Sequence, residues 1–411
     1  MACTLVLGSG AREHALAWRC LGRAGSGPVV AAPGNPGMAQ AGIETQPLDL
    51  TDLEAVCRLA DQLRPDLVVV GPEAPLVAGV ADHLRHLGHA VLGPSAAAAR
   101  LEGSKAFAKG VMATAGVPTA GFEMAASRSE LWAAIDRFGG QVALKADGLA
   151  QGKGVYVAAN AQEARSVGEG WLTRFGRLVV EERLGGPELS VQALVSGDDV
   201  VALPLARDYK RRFDGDRGPN TGGMGAMAPV VCSYPAETLV ELAIRPVAQQ
   251  MSRMGMPLCG VLYAGLMLTA EGPRVLEYNV RLGDPETQVL MPLLPADFPD
   301  WMAAAALGTL SGVGDLPLAS GEAVGVVVVA STYPEGEAEP EAIELGAPLP
   351  PGLLFWGGVS GEPGRLLSGS GRVATAVGTG ASRESARQAA YRLAASLRFP
   401  GAACRSDVGA S

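Results

Sequence analysis

Short apolar runs alternate with amphipathic stretches through residues 1–103, and each change of hydrophobic period marks a change of element. The pattern predicts strands at Thr4–Leu7, Val29–Ala32, Leu67–Val70 and Ala90–Leu92. Between them it predicts helices from about Arg12 to Leu21, from Asp52 onward, and one ending near Leu87. Thr51-x-x-Glu54 has the form of a capping box, in which hydroxyl and carboxylate each satisfy a free backbone N–H at a helix start. Strand and helix in alternation build a doubly wound parallel sheet. Its strands run into Gly8-Ser9-Gly10, Pro33-Gly34-Asn35, Gly71-Pro72-Glu73 and Gly93-Pro94, turns that such a sheet gathers at its ligand-binding carboxyl edge.

A helix from Lys105 to about Ala115 stops at Gly116-Val117-Pro118, and residues 118–187 then form a small α+β insertion, compact and hinged. Within it lie a helix opened by Ser127-x-x-Glu130, the strand Val142–Lys145, a glycine loop and the strand Val155–Ala158. A helix opened by Asn160-x-x-Glu163 and the strand Leu178–Glu181 complete it. Further on, a helix from about Ala236 to Met254 precedes the strand Gly260–Leu268, and another helix covers about Asp300–Leu307. Ala323–Ala330 is apolar without a break, as in a strand buried on both faces. A last helix from Ser382 to about Leu397 aligns Ala386, Ala389, Ala390, Leu393 and Leu397 on one face, and residues from Pro400 look like a frayed tail. The expected class is therefore α/β and α+β multidomain. Its units are 1–103, 104–117 with 188–320, the lid 118–187, and a mixed domain 321–411.

Candidate chemistry centres on Val275-Leu276-Glu277-Tyr278-Asn279-Val280-Arg281, which alternates apolar and polar residues and leads into Leu282-Gly283-Asp284-Pro285-Glu286-Thr287-Gln288. A strand here would place Glu277, Asn279 and Arg281 on one face and Leu276, Tyr278 and Val280 on the other. A carboxylate and an amide oxygen two residues apart suit a hard cation that keeps water and phosphate as its other ligands, as magnesium does. Arg281 beside them could clamp an anion. Taken alone, such a strand is more often a solvated edge.

Composition narrows the function classes. With 411 residues, 48% hydrophobic and 18% charged, the chain is globular, and its net charge of −9 argues against a nucleic-acid partner. Six scattered cysteines without a C-x-x-C pair, and only four histidines, indicate neither a zinc site nor a disulfide framework. No apolar run reaches about eighteen residues and no signal-peptide pattern follows Met1, so neither a membrane span nor export is expected, and a cytoplasmic location is.

Several glycine-rich turns invite familiar motifs and fail them. Gly8-x-Gly10 is followed by Glu13 where a dinucleotide fingerprint needs its third glycine, and no ribose-binding acid follows the second strand. The helix start after Gly10 still favours an anion such as a sugar phosphate. Gly148-Leu149-Ala150-Gln151-Gly152-Lys153-Gly154 is one residue short of a P-loop and enters a strand rather than a helix. Lys145 stands on a kinase-like strand, but no His-Arg-Asp or Asp-Phe-Gly follows. What survives is a strand–loop–strand lid whose backbone and lysines, Lys145 and Lys153, could cover a polyphosphate; an ordinary flexible hairpin remains the alternative. The edge Glu181-Glu182-Arg183-Leu184 could read an adenine, and Glu188 a ribose. Arg207–Arg212 and Gly218–Ala226 combine basic residues and glycines suited to close approach of an anion.

In sequence order, Gly8–Leu16, Ala32–Asn35, Val70–Leu76, Leu101–Lys105, Lys145–Ala150, Gly218–Ala226 and Arg281–Gln288 together resemble the phosphoribosylamine–glycine ligase family of the ATP-grasp superfamily. The resemblance implies an ATP-grasp fold and ATP-dependent joining of glycine to 5-phosphoribosylamine in purine synthesis. It implies ATP at Lys105, Lys145, Gly152, Lys153, Gly154, Glu181, Glu182, Leu184 and Glu188, and magnesium or manganese at Glu277 and Asn279. Gly10, Glu13, Asn35, Asp208, Lys210, Asn220, Thr221, Arg281 and Asp284 would hold substrate, and Arg281 and Lys145 would act in catalysis. Many ATP-grasp enzymes take a further metal carboxylate from the preceding strand, but Gly260–Leu268 offers none. Tyr209 stands where relatives carry histidine, so no catalytic imidazole is expected there. Expected partners are these small molecules, with no nucleic acid, membrane or obligate protein partner. Another ATP-grasp ligase or carboxylase, or a silent nucleotide sensor, would share part of the pattern.

Overall fold

The computed structural model describes residues 3–149, 154–314, 316–317 and 320–410. Its first sheet is parallel throughout, in the order Glu44–Thr45, Val29–Pro33, Thr4–Gly8, Leu67–Val70, Val91–Leu92. Apart from the short edge strand Glu44–Thr45, the strands are buried on both faces, because helices cover both, and the doubly wound arrangement follows. Two local expectations fail there. Asp52, not Thr51, caps the helix Leu53–Leu63: its Oδ1 accepts from Ala55 N at 2.9 Å, while the Thr51 hydroxyl donates to Asp49 at 2.7 Å. The single helix expected up to Leu87 is split into Glu73–Val77 and Val80–His86 by Gly79, whose φ of +89° no helix accommodates. A further helix, Ala96–Gly103, was not expected.

Helix Lys105–Ala115 leads into the lid, an antiparallel sheet in the order Phe122–Ala125, Leu178–Glu182, Val142–Ala146, Val155–Val157. Ser127 and Glu130 form the expected reciprocal box ahead of Arg128–Arg137. The box at Ala161–Phe175 is only half formed. Asn160 accepts from Glu163 N at 2.9 Å, but the Glu163 carboxylate turns to Ala159 N and the Tyr156 hydroxyl.

The central sheet is antiparallel, in the order Asp199–Ala202, Glu188–Ser196, Cys259–Thr269, Gly272–Asn279. Behind it, the long helix expected from Ala236 is broken into Ala236–Ala243 and Arg245–Arg253, since Pro246 has no N–H for a continuing turn. In the last strand Gly265 faces Glu277 but Leu266 faces Val275, so Leu276 is the extra residue of a β-bulge. Val275, Tyr278 and Val280 are buried, whereas Leu276 is not. The simple alternation that put Leu276 with Tyr278 and Val280 is thereby overturned. The strand also ends at Asn279, so Arg281 lies just beyond it.

A further sheet runs Arg207–Asp208, Gly225–Ala228, Glu322–Ala330, Arg372–Gly380, Leu353–Trp356, with Ala402–Ala403 pairing the end of Glu322–Ala330. Its central strand is the buried apolar run, and Arg383–Ala395 packs on it through Ala386, Ala390 and Leu393. Residues beyond Pro400 are not frayed: they add that strand, and Arg405 and Val408 are buried. Ordered backbone partners replace water, which a sequence pattern without periodicity does not reveal.

His14, in helix Ala11–Leu21, joins the first and last sheets: its Nδ1 accepts from Trp356 N at 3.0 Å, and Phe355 meets its ring edge-on at 5.5 Å. Burial pushes the His14 pKa down to about 4 from 6.5, because an imidazolium would lose its hydration there. Between those values the unfolded chain takes up a proton that the folded chain refuses, so stability falls as pH drops through this window. The expected loss from this residue is at most about 3 kcal/mol. Denaturation at pH 7 and 4.5 should show a shallower acid dependence in His14→Asn than in the parent; equal slopes would refute the assignment.

Candidate active site

The β-bulge is where the site begins. It turns Leu276 toward the cleft and aims its carbonyl at the lid, where Lys145 Nζ donates to it at 2.7 Å. Lys145 also pairs with Glu181 Oε2 at 2.9 Å, and Lys109 pairs with Glu181 Oε1 at 3.1 Å, all three side chains being buried. Lys109 donates to Thr119 Oγ1 at 2.7 Å, and Thr119 in turn to the Val275 carbonyl at 2.6 Å. Burial pushes the Lys109 pKa down to about 8, although Glu181 opposes the change. Lys105, at the start of its helix, reaches the carbonyl of Gly148 at 3.2 Å. Lid, helix and bulge thus converge on one cluster of ammonium groups.

Beyond the bulge, Glu277 and Asn279 face the cleft. Burial opposes charge on Glu277, but Lys210, Lys145, Lys105 and Arg281 outweigh it and hold the carboxyl below its ordinary pKa. Arg281 lies 3.0 Å from Glu102 Oε1 and 3.5 Å from Glu73 Oε2, and its Nη2 donates to Asn279 Oδ1 at 3.3 Å. Burial works against its charge too, yet Glu102, Glu73 and Asp284 keep its pKa above that of free arginine. For Glu102 the balance tips the other way, and burial raises its pKa despite Arg281.

Asp284 accepts from Arg372 Nη2 at 2.7 Å and from Gln288 Nε2 at 2.7 Å. Arg372 comes from the last sheet and also donates to the carbonyl of Gly222 at 2.6 Å, which draws the glycine-rich turn onto the cleft. Gly223 there has a φ of +109°, and a Cβ on it would overlap Pro285. Lys210 pairs with Glu188 at 2.8 Å. Asp208 beside it has its pKa pushed up to about 8 by burial, Lys210 opposing and Glu286, Glu188 and Glu277 adding to the rise.

Two adjoining cavities, about 280 and 420 Å³, share Lys145, Glu181, Asp208, Lys210, Thr221, Leu276 and Glu277. The first adds Lys105, Gly154, Asn279, Arg281 and Asp284, and the second adds Glu182, Leu184, Glu188 and Asn220. Ala143, Val157 and Met267 give the second an apolar wall. Among the described residues, Gly10, Glu13 and Asn35 line neither cavity. Glu13 is 3% exposed: it accepts from Gly10 N at 2.7 Å and pairs with Arg12 Nε at 2.6 Å. A Cβ at Gly8, Gly10 or Gly71 would overlap its side chain. Asn35 caps a short helix through Met38 N at 2.9 Å and donates to the carbonyls of Ser9 and Trp356. Gly152 and Lys153 lie outside the described residues.

Residues that sequence reasoning did not single out also face the cleft: Arg12, Glu73, Glu102, Lys109 and Arg372. Arg12, Glu73 and Glu102 stand inside the quoted motifs, so a signal existed for them; Arg372 had none. Tyr209 is 6% exposed; its ring packs in the core of the last sheet, and the residue also borders the second cavity.

Residues 2–102, 103–287 and 323–411 match in turn the N domain, the ATP-grasp (A) domain and the C domain of phosphoribosylglycinamide synthetase. A phosphoribosylamine–glycine ligase of Streptomyces coelicolor is 44% identical over 416 aligned residues, spanning 99% of this chain and 98% of that protein. One from Mycobacterium tuberculosis is also 44% identical, spanning 98% and 97%. The crystal structure of phosphoribosylamine–glycine ligase from Thermotoga maritima has a TM-score of 0.86 at 36% identity, over 98% of this chain and 99% of that one. The biotin carboxylase domain of a Hydrogenobacter thermophilus 2-oxoglutarate carboxylase, in complex with MgADP and bicarbonate, gives 0.72 at 18% identity over 98% and 91%, a likeness of fold alone. On the full-length match and the ATP-grasp architecture that carries this cleft, the chain belongs to the phosphoribosylamine–glycine ligase family.

Proposed function

We propose that this protein joins glycine to 5-phosphoribosylamine through a glycyl phosphate, converting ATP to ADP and phosphate and yielding glycinamide ribonucleotide for purine synthesis. The observation that carries the proposal is one cleft, in a chain of this family, that collects Lys105, Lys145, Arg281, Glu277 and Asn279 beneath a lid. A glycine carboxylate is a poor acyl donor, because oxide would have to leave. Its oxygen instead attacks the γ-phosphorus, the bond to the β,γ-bridging oxygen breaks, and ADP departs. The amine nitrogen then attacks the acyl carbon, phosphate leaves, and the nitrogen gives up a proton. Such transfer needs positioning and charge neutralisation rather than a covalent nucleophile, which suits a site built from lysines, arginines and acids.

In this assignment the adenine lies against Ala143, Val157, Met267 and Leu276, with the Glu181–Leu184 edge beside it and Glu188, steadied by Lys210, at the ribose. Lys105 and Lys145 take the phosphates, joined by Gly152, Lys153 and Gly154 of the loop. Glu277 and Asn279 fit a hard divalent cation. Both are oxygen donors, and Glu277 is held ionised by the cations around it. Magnesium or manganese bound there would neutralise phosphate charge. A hard cation at such a pair keeps water and phosphate among its remaining ligands. Arg281 and Asp284 of the first cavity, Asp208, Lys210 and Thr221 shared by both, and Asn220 of the second are assigned to substrate. Gly10, Glu13 and Asn35 serve the phosphoribosylamine site from behind, where Glu13 holds Arg12 toward the cleft. Lid closure keeps water from the acyl phosphate. The unpaired cysteines support a reducing, cytoplasmic setting, and among the described residues no helix is long and apolar enough to cross a membrane.

ADP release should require glycine and phosphoribosylamine together; release only with another carboxylate and amine would keep the fold and overturn the substrates. Glu277→Ala should lower magnesium-dependent turnover by about 100-fold or more. Near-normal turnover of that variant at ordinary magnesium concentration would sink the ligand assignment.

A further inference from the structure

The residues past Pro400 are held from two sides. On one side, Arg387 of the last helix donates to the carbonyls of Ser406 and Val408 at 2.7 and 3.1 Å, and the Tyr391 hydroxyl to that of Arg405 at 2.9 Å. On the other side lies the hairpin of Arg211–Phe213 and Arg217–Asn220. Arg405, 2% exposed, reaches it directly: Nη1 donates to the Arg211 carbonyl at 3.0 Å and pairs with Asp216 at 2.8 Å. Its Nε and Nη2 each meet one oxygen of Asp407 at 2.7 Å, and Asp407 also accepts from Gly215 N at 2.8 Å. The Arg405 guanidinium carbon sits 5.0 Å from the ring centroid of Tyr209, whose hydroxyl accepts from Gly409 N at 2.9 Å.

Tyr209 stands between Asp208 and Lys210, which line the cleft. Successive side chains of an extended segment point to opposite sides, so the strap grips the back of the stretch whose front faces substrate. Thr221 is tied to the same stretch, its N and Oγ1 both donating to the Lys210 carbonyl at 2.8 Å. A buried guanidinium is costly unless fully paired, and its planar fork can meet several acceptors in one fixed geometry. A cation held this firmly, outside both cavities, has its effect through what it orients.

We propose that Arg405 is a positioning residue: through Tyr209 and the Arg211–Asn220 hairpin it fixes Asp208, Lys210 and Thr221 at the substrate edge of the cleft. The proposal rests on the function assigned above.

Two variants test it. Arg405→Met keeps an unbranched stem and removes the fork. Asp216→Asn removes the charge from a single tie, on a side chain that is 73% exposed and borders the second cavity, and asparagine tolerates the left-handed φ of +52° there. An unchanged KM for ATP separates lost positioning from a direct effect on that cavity. Hydrogen exchange of residues 208–221 is measured together with KM and kcat for each substrate, well below the melting temperatures. Exchange should quicken in both. KM for phosphoribosylamine should rise about tenfold in Arg405→Met and about threefold in Asp216→Asn, with kcat within about twofold. An unchanged KM in folded variants overturns the proposal, even where the melting temperature falls, because that is what a purely structural role predicts. If Arg405→Met does not fold, Asp216→Asn decides. If the parent protein itself does not turn over glycine with phosphoribosylamine, the functional assignment has failed instead, and unchanged exchange in 208–221 would then overturn the strap by itself.

Discussion

A guanidinium taken out of water must be met by anions, and at Arg281 that requirement binds the molecule together. Its partners come from places far apart in the chain: Glu73 starts a helix beside the first sheet, and Glu102 ends the helix Ala96–Gly103. Glu102 divides its two oxygens, one toward Arg281 and one accepting from Val280 N at 2.8 Å. The carboxylate that neutralises the cation therefore also fixes the backbone that carries it. Asn279, hydrogen-bonded to the same guanidinium, is placed by the same contacts. The first sheet and the central sheet cannot shift against each other without leaving a buried charge unpaired.

Across the cleft the lid follows a similar logic with the signs exchanged. One buried carboxylate, Glu181, sits between Lys109 of the central helix and Lys145 of the lid. The Leu276 bulge supplies the other anchor, since an unpaired bulge carbonyl is free to accept from Lys145. The lid is thus tied to the central helix and to the bulge through two buried lysines.

Much of this was legible because it is local. The strand that carries Glu277 and Asn279, the glycine turns after the strands of the first sheet, and the Ser127–Glu130 box are all short-range signals that physics reads from neighbours in sequence. The bulge was not legible, because inserting one residue into a strand leaves the same alternating letters and is decided by pairing with Cys259–Thr269. Arg372 was missed for a related reason: its partner Asp284 is 88 positions away, and an arginine in a strand carries no mark of what it will meet. The segment after Pro400 looked idle because its order comes from charges on another hairpin, not from any period of its own. Glu13 packs against three glycines and Asn35 caps a helix, contacts that no count of polar residues could have revealed.

The sheet that crosses from Gly225–Ala228 to Glu322–Ala330 joins two stretches that sequence alone assigns to separate units. A fragment ending near residue 320 would keep the first strand and lose the neighbour that satisfies its N–H and C=O groups. Such an open, apolar edge invites pairing with another chain. Gene fusions, split versions and modular swaps of this protein are therefore constrained: a join at the linker before Glu322 respects the covalent order of the chain while cutting through one of its sheets.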